Sequence, residues 1–491
     1  MKPLIVIVSN RGPFSFKKKA DGTFRVERGV GGLVTALGAL AEQHEVLWVA
    51  AAMDKDDRRW VDAQPDEPQQ IEGIFLRLIK PDRKAYQGYY NVISNPMLWF
   101  IQHQLWDAPR NPSITQETWD AWEMGYLEIN KAFAGIVART VEDEKRPVIV
   151  LPQDYHLYMF PHYLRELTGA KVQIQPFIHI PWPGPDAWRV LPGQIRNAIL
   201  TSLLQADRLG FQTQKDAFNF IQTCRFYLEG AHAHGTRDTI EYKGREVKAV
   251  AYPISVDTQR LNSMSEQLLQ SHPYNFGEGR KVILRVDRIE PSKNILRGLE
   301  AYRTLLETHP EHRGKVQMVA LLVPSRMEVN EYQDYLRDIM SEAGMINANY
   351  STSYWEPVRI VVGDNYERAI AAMQFYDVLL VNPLADGMNL VAKEGVLVNQ
   401  KDGVLVLSED AGAFYELGEY ALTVSPFDIY GTAHALHYAL TMPPEDKRKR
   451  AEALRAIVTK ADIRSWFYDQ VDDAMRAFES QSKNDSTPAT S

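Results

Sequence analysis

Val378-Leu379-Leu380-Val381-Asn382-Pro383-Leu384-Ala385-Asp386-Gly387-Met388-Asn389-Leu390-Val391-Ala392-Lys393-Glu394 runs from an apolar tetrapeptide through a polar turn into a helical pattern. The apolar residues Val378–Val381 read as a buried strand. A sharp turn at Asp386-Gly387 follows, and a helix is expected from about Met388. Such a step aims backbone N–H groups beyond the strand's carboxyl end, and helix N-termini favour anions or oxygen-rich ligands. Asp386 and Glu394 flank the turn with two carboxylates, acceptors that suit sugar hydroxyls.

The same alternation recurs along the chain. Strands are expected at Leu4–Val8, Glu45–Ala50, Val148–Leu151, Gln175–His179 and Arg208–Phe211, then at Lys281–Val286, Gln317–Val323, Arg359–Val362, Val378–Val381 and Val404–Leu407. Amphipathic helices lie between them, among them Ile295–Thr308 and Val329–Ala343. Continuous apolar strands alternating with helices indicate parallel sheets covered on both faces. The fold class is α/β, with two doubly wound Rossmann-like domains facing across a cleft, where ligands of such folds bind. The domains are expected at 1–256 and 257–461, with a boundary at Tyr252-Pro253-Ile254-Ser255-Val256-Asp257. An aromatic-rich helix at 462–480 is expected to pack back on the first domain. The polar tail 481–491 reads as disordered.

At 491 residues the chain exceeds what one core usually supports. Its 45% apolar and 24% charged content is ordinary for a soluble globular protein. A net charge of −8 and a pI near 5.9 argue against a nucleic-acid partner. The lone Cys224 sits in an apolar stretch and reads as a buried thiol; no Cys/His cluster has zinc spacing, so no metal is expected. The apolar N-terminal run is too short for a signal peptide, and no run is long enough for a membrane span. A cytoplasmic protein without membrane attachment follows. Asp54-Lys55-Asp56 has the form of a metal-nucleotide D-x-D motif, but it lies in the charged run Asp54–Arg59, which reads as a solvated helix start.

Further candidates follow strands. Ser9-Asn10-Arg11-Gly12-Pro13 and the glycine-rich Gly29-Val30-Gly31-Gly32-Leu33-Val34 offer backbone amides and a guanidinium to phosphate. Arg288 and Lys293 lie either side of the turn at Pro291, just before a helix, which suits a diphosphate leaving group. Arg326, after Pro324-Ser325, is a possible second phosphate ligand. Asp154-Tyr155-His156 and His179-Ile180-Pro181-Trp182-Pro183 occupy equivalent positions in the first half. Tyr89-Tyr90-Asn91 and Leu98-Trp99-Phe100 carry exposed-looking aromatics; such rings stack on sugars or form core.

Taken in order, these pieces resemble the retaining trehalose-6-phosphate synthase family, GT-B glycosyltransferases of family 20, from about Leu4 to Ala477. Ser9-Asn10-Arg11, Gly31-Gly32-Leu33, Tyr90 with Trp99, Asp154-Tyr155-His156, His179-Ile180-Pro181, Arg288 with Lys293, Ser325-Arg326 and Asp386–Glu394 carry the resemblance. It implies that Gly32, Arg288 and Lys293 contact the donor diphosphate and that Glu394 holds the donor ribose. It places His179, Asp386, Gly387, Met388, Asn389, Leu390 and Val391 at the donor glucose. Arg11, Tyr90 and Arg326 would clamp the acceptor phosphate, with Trp99 and Asp154 on the acceptor sugar. Arg288, Lys293, His179 and Asp386 are the expected catalytic group. Lys293 is followed by Asn294 where many members have Gly, Glu290-Pro291 replaces a common Asp-Tyr pair, and Ala385 stands in place of an Arg.

The implied reaction moves glucose, with retention, from a nucleoside-diphosphate-glucose (UDP-glucose first, GDP-glucose as the alternative) to glucose 6-phosphate. No carboxylate nucleophile of the glycosidase kind is identified. The resemblance implies same-face attack, with the departing phosphate oxygen taking the acceptor's proton. No cofactor is expected beyond the substrates, and a homo-oligomer is expected. The rivals are a transferase using another phosphorylated or cyclitol acceptor, a silent sugar-phosphate-binding regulator, and a nucleotide-sugar epimerase.

Overall fold

Every strand of the sheet that contains Val378–Val381 is parallel, and its order is what positions the site. In space the strands run Val358–Val362, Val316–Val323, Lys281–Arg288, Val378–Val381, Val404–Ser408, Leu422–Val424. In chain order this is 3-2-1-4-5-6, so the winding reverses between Lys281–Arg288 and Val378–Val381. Loops leaving the carboxyl ends of those two strands diverge there and leave a crevice for ligands.

The computed structural model describes residues 2–29, 44–233, 238–271, 279–461 and 463–485. The chain divides into two compact units: Ile254–Ile463, and the remainder up to Pro253 together with the residues from Arg464 onward.

The four central strands of the sheet in the Ile254–Ile463 unit are buried on both faces, as continuous apolar strands require. Ile283, Met318, Leu322, Val378, Leu380, Val404 and Val406 share one core with helices Ile295–Thr308, Asn330–Tyr350 and Ile429–Thr441. On the other side Leu379 lies against Gly395 of helix Leu390–Val398. All four residues of Val378–Val381 are buried, each worth about 1.5–3 kcal/mol over exposure. That anchorage exceeds the roughly 1–3 kcal/mol that one strained backbone position in the adjoining loop costs. Helix Asn330–Tyr350 runs seven residues past the expected end at Ala343. Gly344 faces open space, and Ile346 beyond it is buried in the core, so the apolar stripe overrides the glycine.

In the other unit the parallel strands run Ile74–Ile79, Glu45–Ala51, Leu4–Arg11, Val148–Pro152, Val172–Ile174, with Gln69–Ile71 antiparallel at one edge. A second sheet holds His232–Ala233, Thr239–Tyr242, Arg245–Ala251, Arg208–Phe211 and Phe177–Ile178. The single strand expected at Gln175–His179 is thus divided. Gln175 still donates to the Val150 carbonyl of the first sheet, whereas Phe177–Ile178 pairs with Arg208–Phe211 in the second. Pro176 between them has no N–H to continue either ladder. The last helix, Ile463–Asp485, continues past Gln481, where the tail was expected to begin. It meets this unit through Trp466, edge-on to Phe177 at 5.0 Å, and Asp473, paired with Arg208 at 2.9 Å.

The run Asp54–Arg59 does begin a helix, Lys55–Ala63, but it is not merely solvated. Asp57 is buried and accepts from the Phe16 amide, and Asp54 caps the helix through the amides of Asp56 and Asp57. These carboxylates are occupied by backbone donors. Cys224 is a buried free thiol, pushed well above its ordinary pKa by burial.

Candidate active site

Two loops meet at the reversal in the Ile254–Ile463 unit. The first follows Lys281–Arg288 and is stitched from beneath by Arg285. This guanidinium is fully buried and pairs with Asp287 at 2.9 Å. It also donates to the carbonyls of Lys293 (3.1 Å) and Ile295 (3.3 Å). A Cβ at position 298 would come within 2.0 Å of Arg285, so glycine there gives the guanidinium its room. Asn294 has φ 56° and ψ 40°, the left-handed region that Gly and Asn tolerate best. Its side-chain amide donates to the carbonyl of Asn382 (3.0 Å), tying the two loops together, and to that of Pro426 (2.7 Å), ahead of helix Ile429–Thr441. Leu384 N–H donates to the Ser292 carbonyl at 2.8 Å, a second tie.

Lys293 Nζ lies 2.5 Å from Asp386 Oδ2, with both side chains mostly buried. Asn389 donates to the same carboxylate oxygen at 3.0 Å. Asn389 stands at φ 77° and caps the helix, accepting from the Ala392 amide. The helix therefore starts at Leu390 rather than Met388. Its first amides, Leu390 and Val391, have no acceptor within the helix, by the geometry of any helix start.

The turn itself is held by main chain. Asp386 N–H donates to Asp410, while the amides of Gly412 and Ala413 donate to the carbonyls of Asp386 and Met388. A Cβ on residue 412 would lie 1.8 Å from the Gly387 oxygen. Gly412→Ala is therefore expected to displace the Asp386–Met388 turn and cut turnover at least about tenfold. Overpacking of this kind costs typically 1–3 kcal/mol, which a shift in the urea midpoint together with kcat would register.

Arg288 and Arg326 converge on Glu290. This carboxylate is fully buried and lies 2.9 Å from Arg326 and 3.3 Å from Arg288, and it accepts from Ser325 Oγ at 2.8 Å. Burial alone would raise its pKa. The charges of Arg288, Arg326 and Lys293, with the Ser325 hydroxyl, outweigh that and hold it down at about 2. Arg326 also donates to Tyr332 Oη at 2.9 Å and has φ 47°. Arg288 remains half-exposed.

Glu394 accepts from Tyr366 Oη at 2.9 Å, and burial lifts its pKa to about 7. Lys393, beside it, is buried against Glu416 (2.6 Å) and the Ile254 carbonyl (2.8 Å) and serves the fold.

In the other unit the same logic applies where the order reverses between Leu4–Arg11 and Val148–Pro152. Ser9 and Asn10 are buried: Ser9 Oγ donates to the Arg11 carbonyl and accepts from Trp48, and Asn10 accepts from Tyr86 Oη. Arg11 is exposed. Tyr86 stacks against Tyr90 at 5.9 Å, and Tyr90 against His156 at 5.8 Å. Asp154 has φ 71° and ψ 177°, a conformation essentially reserved for glycine, and accepts from the His179 amide at 3.2 Å. His179 Nε2 meets Gln153 Oε1 at 2.9 Å, while its Nδ1 faces Gln212 at 3.4 Å. Burial lowers its pKa to about 4, so the ring is neutral at pH 7.

The aromatics that looked exposed are mostly core. Tyr89, Trp99 and Phe100 are buried, and Trp99 stacks on His103 at 4.1 Å. Only Tyr90 of this group is half-exposed. Gly31, Gly32 and Leu33 lie outside the described residues. Sequence reasoning missed Arg285, Tyr366, Gln153 and the Asp410–Ala413 bracket. A charged residue inside an apolar strand is the signal that marks Arg285; Tyr366 and Gln153 carry none.

Residues 3–476 match the model of glycosyltransferase family 20. The chain belongs to this family. Among family 20 relatives, the alpha,alpha-trehalose-phosphate synthase [UDP-forming] of Schizosaccharomyces pombe is 31% identical, over 94% of this chain and 88% of its own. The E. coli trehalose-6-phosphate protein bound with UDP-2-fluoro glucose is 29% identical, with a TM-score of 0.82, over 96% of this chain and 98% of that one. The UDP-forming alpha,alpha-trehalose-phosphate synthase from Burkholderia xenovorans in complex with glucose-6-phosphate is 27% identical, TM-score 0.81, over 96% and 100%. The fold is the α/β GT-B class of these structures.

Two departures from the common family 20 pattern now have a physical reading. Asn294 replaces a glycine at a left-handed position and adds the two side-chain hydrogen bonds. Glu290 gathers Arg288 and Arg326 onto one carboxylate. Ala385 is buried, and nothing in the structure explains its replacing an arginine.

Proposed function

We propose that this chain is an alpha,alpha-trehalose-phosphate synthase, UDP-forming, transferring glucose with retention from UDP-glucose to glucose 6-phosphate. The Lys293–Asp386 pair carries the reading. A cation that suits diphosphate and a carboxylate that suits sugar hydroxyls stand together at the strand reversal. A nucleoside-diphosphate-glucose presents those two groups side by side. On binding, phosphate takes Lys293 while a glucose hydroxyl donates to Asp386, so one ion pair gives way to two charge-assisted contacts.

Arg288 and Lys293 then stabilise charge on the departing diphosphate. The anomeric hydroxyl of the acceptor attacks the face from which phosphate leaves. Its proton passes to the phosphate oxygen, which makes a carboxylate nucleophile unnecessary. Glu394 holds the ribose, and neutral His179 serves the donor glucose as a hydrogen-bonding group. The loop amides from Gly387 to Val391 complete that pocket. Arg11, Tyr90 and Arg326 hold the acceptor phosphate, and Asp154 the acceptor sugar, with Trp99 supporting from the core. Gly32 belongs with the donor diphosphate in this scheme.

Nucleoside diphosphate release, followed with and without glucose 6-phosphate, tests the reading. Release that depends on the acceptor and yields a non-reducing disaccharide phosphate supports it; release indifferent to the acceptor overturns it. A panel of UDP-, GDP- and ADP-glucose fixes the base. Arg326→Ala is expected to raise the acceptor KM about 10- to 100-fold, the worth of one charge-assisted hydrogen bond of ~1.5–3 kcal/mol, with a smaller change in kcat. An unchanged KM in steady-state kinetics would count against its place in the clamp.

A further inference from the structure

Strand Val358–Val362 ends in a short turn, Gly363 at φ 151° and then Asp364 and Asn365. Asn365 caps the next helix, Tyr366–Met373, its side chain accepting from the Arg368 amide at 2.7 Å. Tyr366 is thereby fixed as the first helical residue at the carboxyl end of the sheet, where ligands of such folds bind. This helix packs against helix Leu390–Val398, and Tyr366 Oη lies 2.9 Å from Glu394 Oε1. The sequence concealed the pair, because 28 residues separate its members.

Tyr366 is the donor of that bond. Burial, then the charge of Glu394 and the hydrogen bond to it, raise the phenol's pKa well above its ordinary value, so the hydroxyl keeps its proton. One proton fixes one carboxylate oxygen. Oε2 remains, with no hydrogen bond from the described residues, and both residues are partly exposed to a ligand. Helix Thr258–Ser271 packs against both helices; its Arg260, and Asp257 just before it, act on Tyr366 with opposite signs. Helix Pro444–Lys460 packs along Leu390–Val398 as well, but its Arg450 and Arg455 are held by the carbonyls of Tyr420 and Asn399. Tyr366 is thus the titratable group that bears directly on Glu394.

We propose that Tyr366 is a positioning residue for the donor: by holding Glu394 Oε1 it orients the carboxylate so that Oε2 accepts from the ribose hydroxyls of the nucleoside diphosphate. The role rests on the donor-binding reading above and deepens it. Donation from Tyr366 also opposes the burial that lifts Glu394 to about 7. Without the hydroxyl the carboxyl takes up its proton at higher pH and loses acceptor capacity near neutrality.

Calorimetric titration of the full-length protein with UDP, at pH 7 and at about pH 9, tests the role. Tyr366→Phe should raise the Kd for UDP roughly 10-fold at pH 7, the worth of a hydrogen bond to a charged group. The loss should shrink at the higher pH, where the carboxylate is ionised in either protein. In a Glu394→Gln background the same substitution should change the Kd by about twofold at most, since coupled residues are not additive. Turnover at saturating UDP-glucose and glucose 6-phosphate should stay near the parent's. Tyr350→Phe, which removes an exposed hydroxyl 3.3 Å from Glu307, should bind UDP as the parent does. A parent-like Kd for Tyr366→Phe at both pH values would overturn the positioning role and leave the donor site standing. A loss equal at the two pH values, or undiminished in Glu394→Gln, would mark a merely structural effect and overturn it as well. A parent protein that binds none of UDP, GDP and ADP would overturn the donor-binding reading and this role with it.

Discussion

Lys293→Ala should lower turnover by about a hundredfold or more and leave the protein folded. The Nζ group sits 2.5 Å from Asp386, at the position proposed for the leaving diphosphate. A charge-assisted contact that strengthens as charge develops is worth ~3 kcal/mol, about two orders of magnitude in rate. The turn does not depend on this side chain. Arg285 holds the Lys293 carbonyl, Asn294 ties the neighbouring loop, and Asn389 still donates to Asp386. A circular dichroism spectrum like the parent's, a thermal midpoint lowered by the loss of a mostly buried ion pair, and a reduced kcat are the expected results. Parent-like turnover in the purified variant would remove diphosphate stabilisation from the mechanism.

Glu290→Ala should be costly in a different way, through stability as well as rate. Its carboxylate is the shared counter-charge of Arg288 and Arg326, and its removal leaves two guanidiniums facing one another. Breaking a fully buried pair costs ~3–5 kcal/mol; because Arg288 is half-exposed and solvent-screened, a loss of about 2–3 kcal/mol is expected. Activity should fall more than tenfold, with both donor and acceptor KM affected, since both arginines lose their anchor. Glu290→Gln keeps an acceptor but no charge and should fall between. The pH dependence has a definite sign. Glu290 titrates at about 2 in the folded chain, below the ordinary 4.5 of a glutamate. Its contribution is therefore complete above about pH 4.5 and fades as pH falls toward 2. Urea unfolding at pH 7 and pH 3 checks this: the gap between parent and Glu290→Ala should narrow at the lower pH. A gap unchanged between the two would show that the carboxylate's charge is not what the site uses.

How much of this was legible beforehand varied with how local the cause was. Val378–Val381 could be read because four consecutive buried residues leave a plain apolar run. Helix Ile295–Thr308 could be read because its buried face repeats at helical spacing. Gln175–His179 misled because the apolar content continues across Pro176 while the hydrogen bonding does not. Lys293 and Asp386 were each legible as residues after strands; that they touch depends on the strand order, which a sequence read in one dimension does not display. Glu290 was visible only as a departure from the family pattern. Its role needed Arg326, 36 residues on, brought to the same carboxylate. The aromatic pairs were ambiguous for a general reason: a ring in a loop sequence reads alike whether it faces a ligand or the core.

The left-handed backbone positions bear on anyone seeking a hardier version of this enzyme. Among the described non-glycine residues, eight have positive φ, and Asp154, Asn294, Arg326 and Asn389 are four of them. Glycine at Glu72, Gln104, Lys243 or Asp402 would relax the main chain at places with no assigned chemistry. At the other four the same change deletes a side chain that the reaction or its loop ties require. Heat tolerance and catalytic competence are thus in conflict at one half of these sites and independent at the other, and a mutagenesis campaign blind to that division would select against its own activity screen.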